Sequence, residues 1–272
     1  LRDQLPSLHR RLTHLEITKT ENKKYNYSLG LKVILKQYFD ISGIPGRFPA
    51  LDSIRAVAII LVLMRHAVHF WPQPLSGWFW NIWYNGWLGV DLFFVLSGFL
   101  ITHHLLQNWP NSNTKQYIYK YFYKRSLRIL PLYFAILFIA VYRLIPYYTP
   151  DFDVTHFSIL VHVIFIQDYF YYASILVPLW SLGAEEKFYL LAPAVLYLIH
   201  KYPLHRIIFG GIVVITLIII IRSWFILSEN DNVTYSEFFW QYRAPFHFSA
   251  VGILSGSIVA LMFAKFKLTI LT

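Results

Sequence analysis

The stretch LDSIRAVAIILVLMRH, residues 51–66, is almost wholly apolar, yet it holds Arg55, Arg65 and His66. Hydrocarbon penalises an ionisable side chain by roughly 2.5–3.5 kcal/mol, so such residues inside a membrane span are candidates for function. Arg55 and His66 stand 11 residues apart. That spacing is about three helical turns, which sets both on one stripe roughly 16 Å apart along the axis. A neutral imidazole can take a proton from a hydroxyl, and a nearby carboxylate would orient it and stabilise its charged form. A structural reading stands beside this one, with Arg55 as an interfacial anchor and His66 as a hydrogen-bonded core residue. Arg65 points elsewhere and can snorkel.

Other apolar runs carry polar residues at regular spacing. GVDLFFVLSGFLI, 89–101, places Asp91 near the start of a run, where a helix dipole also favours an acid. Ser97 and Gly98 in the same run are small enough to let another helix approach. KRSLRILPLY, 124–133, sets Arg125 and Arg128 three apart on one face, a pair suited to phosphate, although anchoring alone explains bases at a span's start. WSLGAEEKFYL, 180–190, spaces Ser181, Glu185 and Tyr189 by four, and turns Glu186 about 100° away. Glu185 is then the inward-facing acid; structurally, it could simply complement a helix dipole with Ser181 as cap. Arg243 opens the last apolar run and can line an acceptor cleft.

These candidates form a map with two ends. His66, Asp91 and Glu185 gather in the outer part, and Arg55, Arg125 and Arg128 in the inner part. A base with carboxylate partners suits general-base work on a hydroxyl. An inner basic cluster suits an anionic cytosolic donor. His103 and His104 read as interfacial, and no spacing supports a metal site. Arg222 reads as snorkelling, and Trp78, Trp80, Trp83 and Trp87 as an aromatic belt.

The elements that must position these residues are membrane helices. The chain has 272 residues, 57% hydrophobic and only 14% charged, well below the quarter of a soluble domain. It has no cysteine, which excludes disulfides, thiolate metal sites and cysteine nucleophiles. Its formal charge of +10 falls in particular loops, so topology explains it and nucleic-acid binding does not. Residues 1–48 form a basic tail, in which 31–39 (LKVILKQYF) could lie as an interfacial helix; residues 49–272 form the membrane domain. The chain does not begin with Met and stops soon after an apolar run, which reads as a piece of a longer protein.

Six runs are long enough to span a bilayer, near 50–71, 87–107, 127–146, 180–199, 207–227 and 244–264. The segments around them alternate basic, neutral, basic, acidic, basic, acidic, basic, which makes the tail cytoplasmic. An odd number of crossings must separate the acidic loop near 150 from the basic loop near 203. The apolar stretch 157–166 (FSILVHVIFI) is therefore expected to re-enter or lie at the interface without crossing. The fold class expected is all-α, a polytopic helix bundle of about six spans plus one half-span.

The ordered residues resemble the membrane acyltransferase 3 family. Arg55 and His66 fit its Arg, ten residues, His pattern; VDLFFVLSGFLI fits its second-helix signature. Arg125 and Arg128 fit its Arg-x-x-Arg motif, and Ser181, Leu182, Glu185 and Tyr189 its Ser-Leu-x-x-Glu-x-x-x-Tyr motif. The resemblance implies about ten helices, so the chain reads as truncated at its C-terminal side. It also implies O-acylation of envelope or exported glycans from a cytoplasmic acyl-coenzyme A, as co-substrate and not as a resident cofactor. Arg125 and Arg128 would then hold donor phosphates, His66 would be the base with Glu185 or Asp91 beside it, and Arg55 would line the donor path. Ser181, Tyr189 and Arg243 would meet the acceptor. The expected location is the plasma (inner) membrane, with lipid, donor and a hydroxyl acceptor as partners. A covalent relay of the acyl group through His66 is an alternative within the class. The rival from another class is a proton-coupled carrier, since buried ionisable residues also build proton relays.

Overall fold

The computed structural model describes residues 49–67, 77–108, 114–144, 153–228 and 234–271. The tail 1–48, including the expected interfacial helix at 31–39, lies outside them. The chain divides into two compact units, Leu1–Ser53 and Ile54–Thr272. Among the described residues the first contributes only the opening turn of a helix, and the second holds the bundle.

Every regular element among the described residues is helical. Helix α1 is Pro49–Ala67. Helix α2, Trp78–Tyr84, runs through a 3-10 turn, Asn85–Trp87, into α3, Leu88–Asn108. Helices α4, Thr114–Val141, and α5, His156–Val163, follow, then the 3-10 turns Gln167–Tyr169, Tyr171–Ala173 and Val177–Leu179. Helix α6 is Trp180–Ile199 and α7 is Leu204–Ser228. Helix α8, Tyr235–Phe238, passes through a π-turn, Phe239–Arg243, into α9, Phe246–Leu271.

Among the described residues, three stretches are long and apolar enough to cross a membrane: Trp80–Gln107, Leu204–Ser228 and Phe246–Lys265. The other expected spans are helices too, but each departs from a plain span. Helix α6 carries Glu185, Glu186 and Lys187 inside its length. Helix α4 begins well before the expected run at 127 and includes the bases from Lys115 to Arg128. Helix α1 is described only to Ala67.

Packing fixes the direction of each helix. Phe94 on α3 meets Trp180 edge-on at 5.7 Å, and Ser97 reaches Glu185, so α3 and α6 run parallel. Gly252 lies against Phe94, and Ser257 donates to the Gly98 carbonyl at 3.4 Å, so α3 and α9 also run parallel. Helix α4 runs antiparallel to α6: Tyr121 donates to the Tyr189 carbonyl at 3.2 Å, and Leu137 clusters with Leu179. Helix α7 runs antiparallel to α9, with Gly211 against Ile258 near one end and Arg222 within electrostatic reach of Arg243 at the other. These directions agree with the alternation read from loop charge. The eight residues of α5 span only about 12 Å, well short of the ~30 Å hydrocarbon core, and Phe165 follows them at positive φ.

The closest crossing is between α3 and α9. A Cβ on Gly98 would stand 1.9 Å from the Ile253 carbonyl oxygen, and one on Gly256 1.9 Å from that of Val95. Small residues at such a crossing bring backbones into direct contact, which is how helices associate where lipid offers no hydrophobic drive. Helix α7, in contrast, has no buried residue.

Candidate active site

Glu185 is the centre on which the polar residues converge. Its position four before Tyr189 puts both on one face of α6, and Tyr189 Oη donates to Glu185 Oε2 at 2.7 Å. Across the α3–α6 contact Ser97 Oγ donates to Glu185 Oε1 at 3.0 Å. Both carboxylate oxygens are thus held by neutral hydroxyls. The Arg125 guanidinium lies over the Tyr189 ring at 4.3 Å and the Tyr121 ring at 5.1 Å. Arg125 and Arg55 are the cations whose charge acts on Glu185. Beside this centre a cleft of about 210 Å³ is lined by Arg125, Ser126, Glu186, Lys187 and Tyr189. Glu186 does turn away from Glu185 as its spacing requires, and faces this cleft.

Asp91 belongs to a different cluster, which corrects the expected grouping. Arg243 Nη2 donates to Asp91 Oδ1 at 3.1 Å and to the Trp87 carbonyl at 3.2 Å, and the guanidinium lies 4.2 Å over the Trp87 ring. Arg222 adds a second positive charge nearby. Arg243 is buried and engaged on the protein itself, so it does not line an open acceptor cleft as its position at the head of a span had implied.

His66 stands apart from both acids. Gly89 packs against Ala58 and Val62, so Asp91 lies level with the Ala58 turn or deeper. His66 follows Ala58 by eight residues and is therefore about 12 Å further along α1. Ser97 and Glu185 lie deeper still. The expected trio of His66, Asp91 and Glu185 is not brought together, because the parallel packing of α3 and α6 carries Glu185 down to the level of Ser97. The hydrogen bonds of Glu185 go instead to Ser97 and Tyr189.

The remaining candidates have definite places. Arg55 is half-buried, and His66 and Arg128 are exposed. Ser181 donates to the Pro178 carbonyl at 3.2 Å and does not cap α6, which begins one residue earlier without a side-chain cap. Tyr189 is buried and belongs to the carboxylate centre, not to an acceptor surface. His103, expected at the interface, is buried and stacked on Phe99 at 5.6 Å, with Phe263 edge-on. Of the expected belt, Trp78 is exposed, Trp80 is buried against Trp83, and Trp87 lies under Arg243.

Asp168 and Lys187 are residues that sequence reasoning passed over. Asp168 is fully buried, forms an ion pair with Lys187, and accepts the Phe246 amide at 2.9 Å. Lys187 also donates to the Phe165 carbonyl at 2.6 Å and the Gly183 carbonyl at 3.2 Å. Gln167, equally buried, donates to the Leu179 carbonyl at 2.8 Å and to Tyr133 Oη at 3.3 Å. This hub ties the returning segment to α4, α6 and α9. The signal available was Gln-Asp inside an otherwise apolar and aromatic stretch, 163–173, with a lysine inside the next span.

Comparison with known proteins places this geometry. The chain is 32% identical over 168 residues to the peptidoglycan O-acetyltransferase OatA of Listeria monocytogenes, covering 57% of this chain and 25% of that protein. It is 33% identical over 205 residues to the O-acetyltransferase OatA of Staphylococcus aureus, covering 70% of this chain and 32% of that one. The chain thus spans a third or less of the length of these relatives. No solved structure gives a significant match. Residues 48–270, which hold α1 to α9 and the Glu185 centre, match the acyltransferase domain, and the chain belongs to the acyltransferase 3 family.

Proposed function

We propose that this chain is the membrane-embedded transferase part of an envelope O-acyltransferase. It moves an acyl group, acetyl by likeness to its relatives, from acyl-coenzyme A at the cytoplasmic face of the plasma membrane to a glycan hydroxyl. The peptidoglycan named for the Listeria relative is the favoured acceptor. The tail and the basic part of α4 that bears Arg125 and Arg128 lie on the cytoplasmic side.

The observation that carries this reading is the convergence on Glu185. Ser97 of the second motif and Tyr189 of the fourth bond to it, Arg125 of the third lies over the Tyr189 ring, and the charge of Arg55 of the first acts on it. A carboxyl group tied to two hydroxyls is fixed in place beside these guanidiniums, and guanidiniums bind phosphate in bidentate fashion. Arg125 and Arg128 hold the donor's phosphates, and Glu185 sets Arg125 and Arg55 along the donor's path. The donor then lies lengthwise in the bundle with its thioester toward His66.

The chemistry is ordinary acyl transfer. The acceptor hydroxyl gives its proton to the His66 imidazole, and its oxygen attacks the thioester carbonyl. The carbon–sulfur bond breaks, and the imidazolium returns the proton to the leaving thiolate. The products are a glycan ester and free coenzyme A. The test uses inverted membrane vesicles that contain the full protein, given labelled acetyl-coenzyme A from the cytoplasmic side. Label in base-labile glycan ester, lost in His66→Ala, supports the proposal. Solute uptake driven by a proton gradient without ester formation contradicts it.

A further inference from the structure

We infer that the aromatic turn between α5 and α6 is a glycan-binding shelf, a subsite for the acceptor; this rests on the transfer reading above. Tyr169, Tyr171 and Tyr172 follow one another in the 3-10 turns and are each exposed, by 43%, 49% and 51%. Tyr172 lies parallel to Phe157 with centroids 6.2 Å apart, and Tyr171 faces Trp240 at 6.4 Å. Tyr169 stacks on His247 at 5.6 Å, and its hydroxyl meets His247 Nδ1 at 3.1 Å. The rings thus extend from α5 across the turns to the π-turn and the start of α9.

An aromatic belt at a membrane interface would explain exposed rings but not what lies beneath these. A belt ring needs only a helix end facing the headgroups. Here the turn is seated on Gln167 and Asp168, both wholly buried and both hydrogen-bonded into three helices. Bonds to Tyr133, Lys187 and the Phe246 amide pin the turn to α4, α6 and α9, while Gln167 Oε1 has no hydrogen-bond partner among the described residues. A rigid set of ring faces with phenol hydroxyls at their edges is amphipathic in the way a sugar is: apolar C–H faces and a polar rim. The one acid beneath the rings is paired with Lys187, so the shelf suits an uncharged, polyhydroxylated strand. Tyr133, which contacts this segment, lies five residues beyond Arg128 on α4, roughly 7.5 Å along the axis.

The test is titration of the purified full protein with a soluble β-1,4-linked N-acetylglucosamine tetramer, followed by calorimetry. Wild type binds, and Tyr171→Ala/Tyr172→Ala weakens binding at least tenfold with an unchanged melting temperature. Tyr172→Trp, which keeps a ring face, binds as wild type does. In transfer assays the double variant raises the acceptor KM by a similar factor and leaves kcat and the donor KM alone, the signature of lost uniform binding. Wild-type affinity in the double variant overturns the shelf, as does failure of wild type to bind. A loss of binding that comes with a lower melting temperature and is not restored by Tyr172→Trp overturns it too. Shelf-dependent binding without acyl transfer would instead sink the transfer reading and leave the subsite standing.

Discussion

Glu185 and Asp168 are acids held inside the same bundle in different ways. Asp168 is paired directly with Lys187 and caps the first amide of α9, so its charge is neutralised where it stands. Glu185 accepts from the hydroxyls of Ser97 and Tyr189, and the charges of Arg125 and Arg55 act on it. A pair that satisfies itself is architecture. A carboxyl group bonded to hydroxyls beside two guanidiniums can help to set their places. Asp91 resembles Asp168 in being paired with a single base, Arg243, but its side chain is 41% exposed and its pairing is accordingly weaker.

That contrast yields a graded set of outcomes. Asp168→Ala strands the Lys187 ammonium in the interior and should cost about 3–5 kcal/mol, as broken buried pairs do. Thermal melting in detergent should show a large drop, with transfer per folded molecule changed only a few-fold. Glu185→Gln keeps the shape and should melt near wild type, while ester formation falls by at least about 100-fold, the scale on which catalytic groups act. If the two variants exchange these phenotypes, the assignment of roles is wrong. Asp91→Asn should cost about 1 kcal/mol, discounted for exposure, and leave the rate within twofold. Tyr189→Phe removes a single hydrogen bond worth about 1 kcal/mol, which corresponds to roughly fivefold in the rate of labelled ester formation.

Some of this was legible in the sequence because the signal was local. The helices follow from apolar runs and their relative directions from loop charge; the parity of crossings asked for a segment near 157–166 that does not span, and the helix there is eight residues long. The face shared by Glu185 and Tyr189 is set by a spacing of four, and the structure keeps it. What was not legible depends on helix register. Which residue of α3 meets Glu185 is decided by Gly98 and Gly256, whose lack of a side chain sets how α3 and α9 cross. Sequence placed Glu185 beside Asp91 because both open a run; the packing instead slides it to Ser97 and leaves Asp91 to Arg243. Asp168 was invisible for a related reason: its partners come from two distant helices, and no short motif records them.

The central claim is that the Glu185 centre and His66 serve acyl transfer to an envelope glycan. Its most direct test is mass spectrometry of base-labile acyl esters on envelope glycans from cells lacking their own enzyme. These cells would carry the full protein as wild type, Glu185→Gln or His66→Ala, at matched membrane levels. The account predicts a new ester with wild type and its near-complete loss in both variants. A wild-type level of ester in Glu185→Gln would make Glu185 one more architectural acid, and would contradict the account.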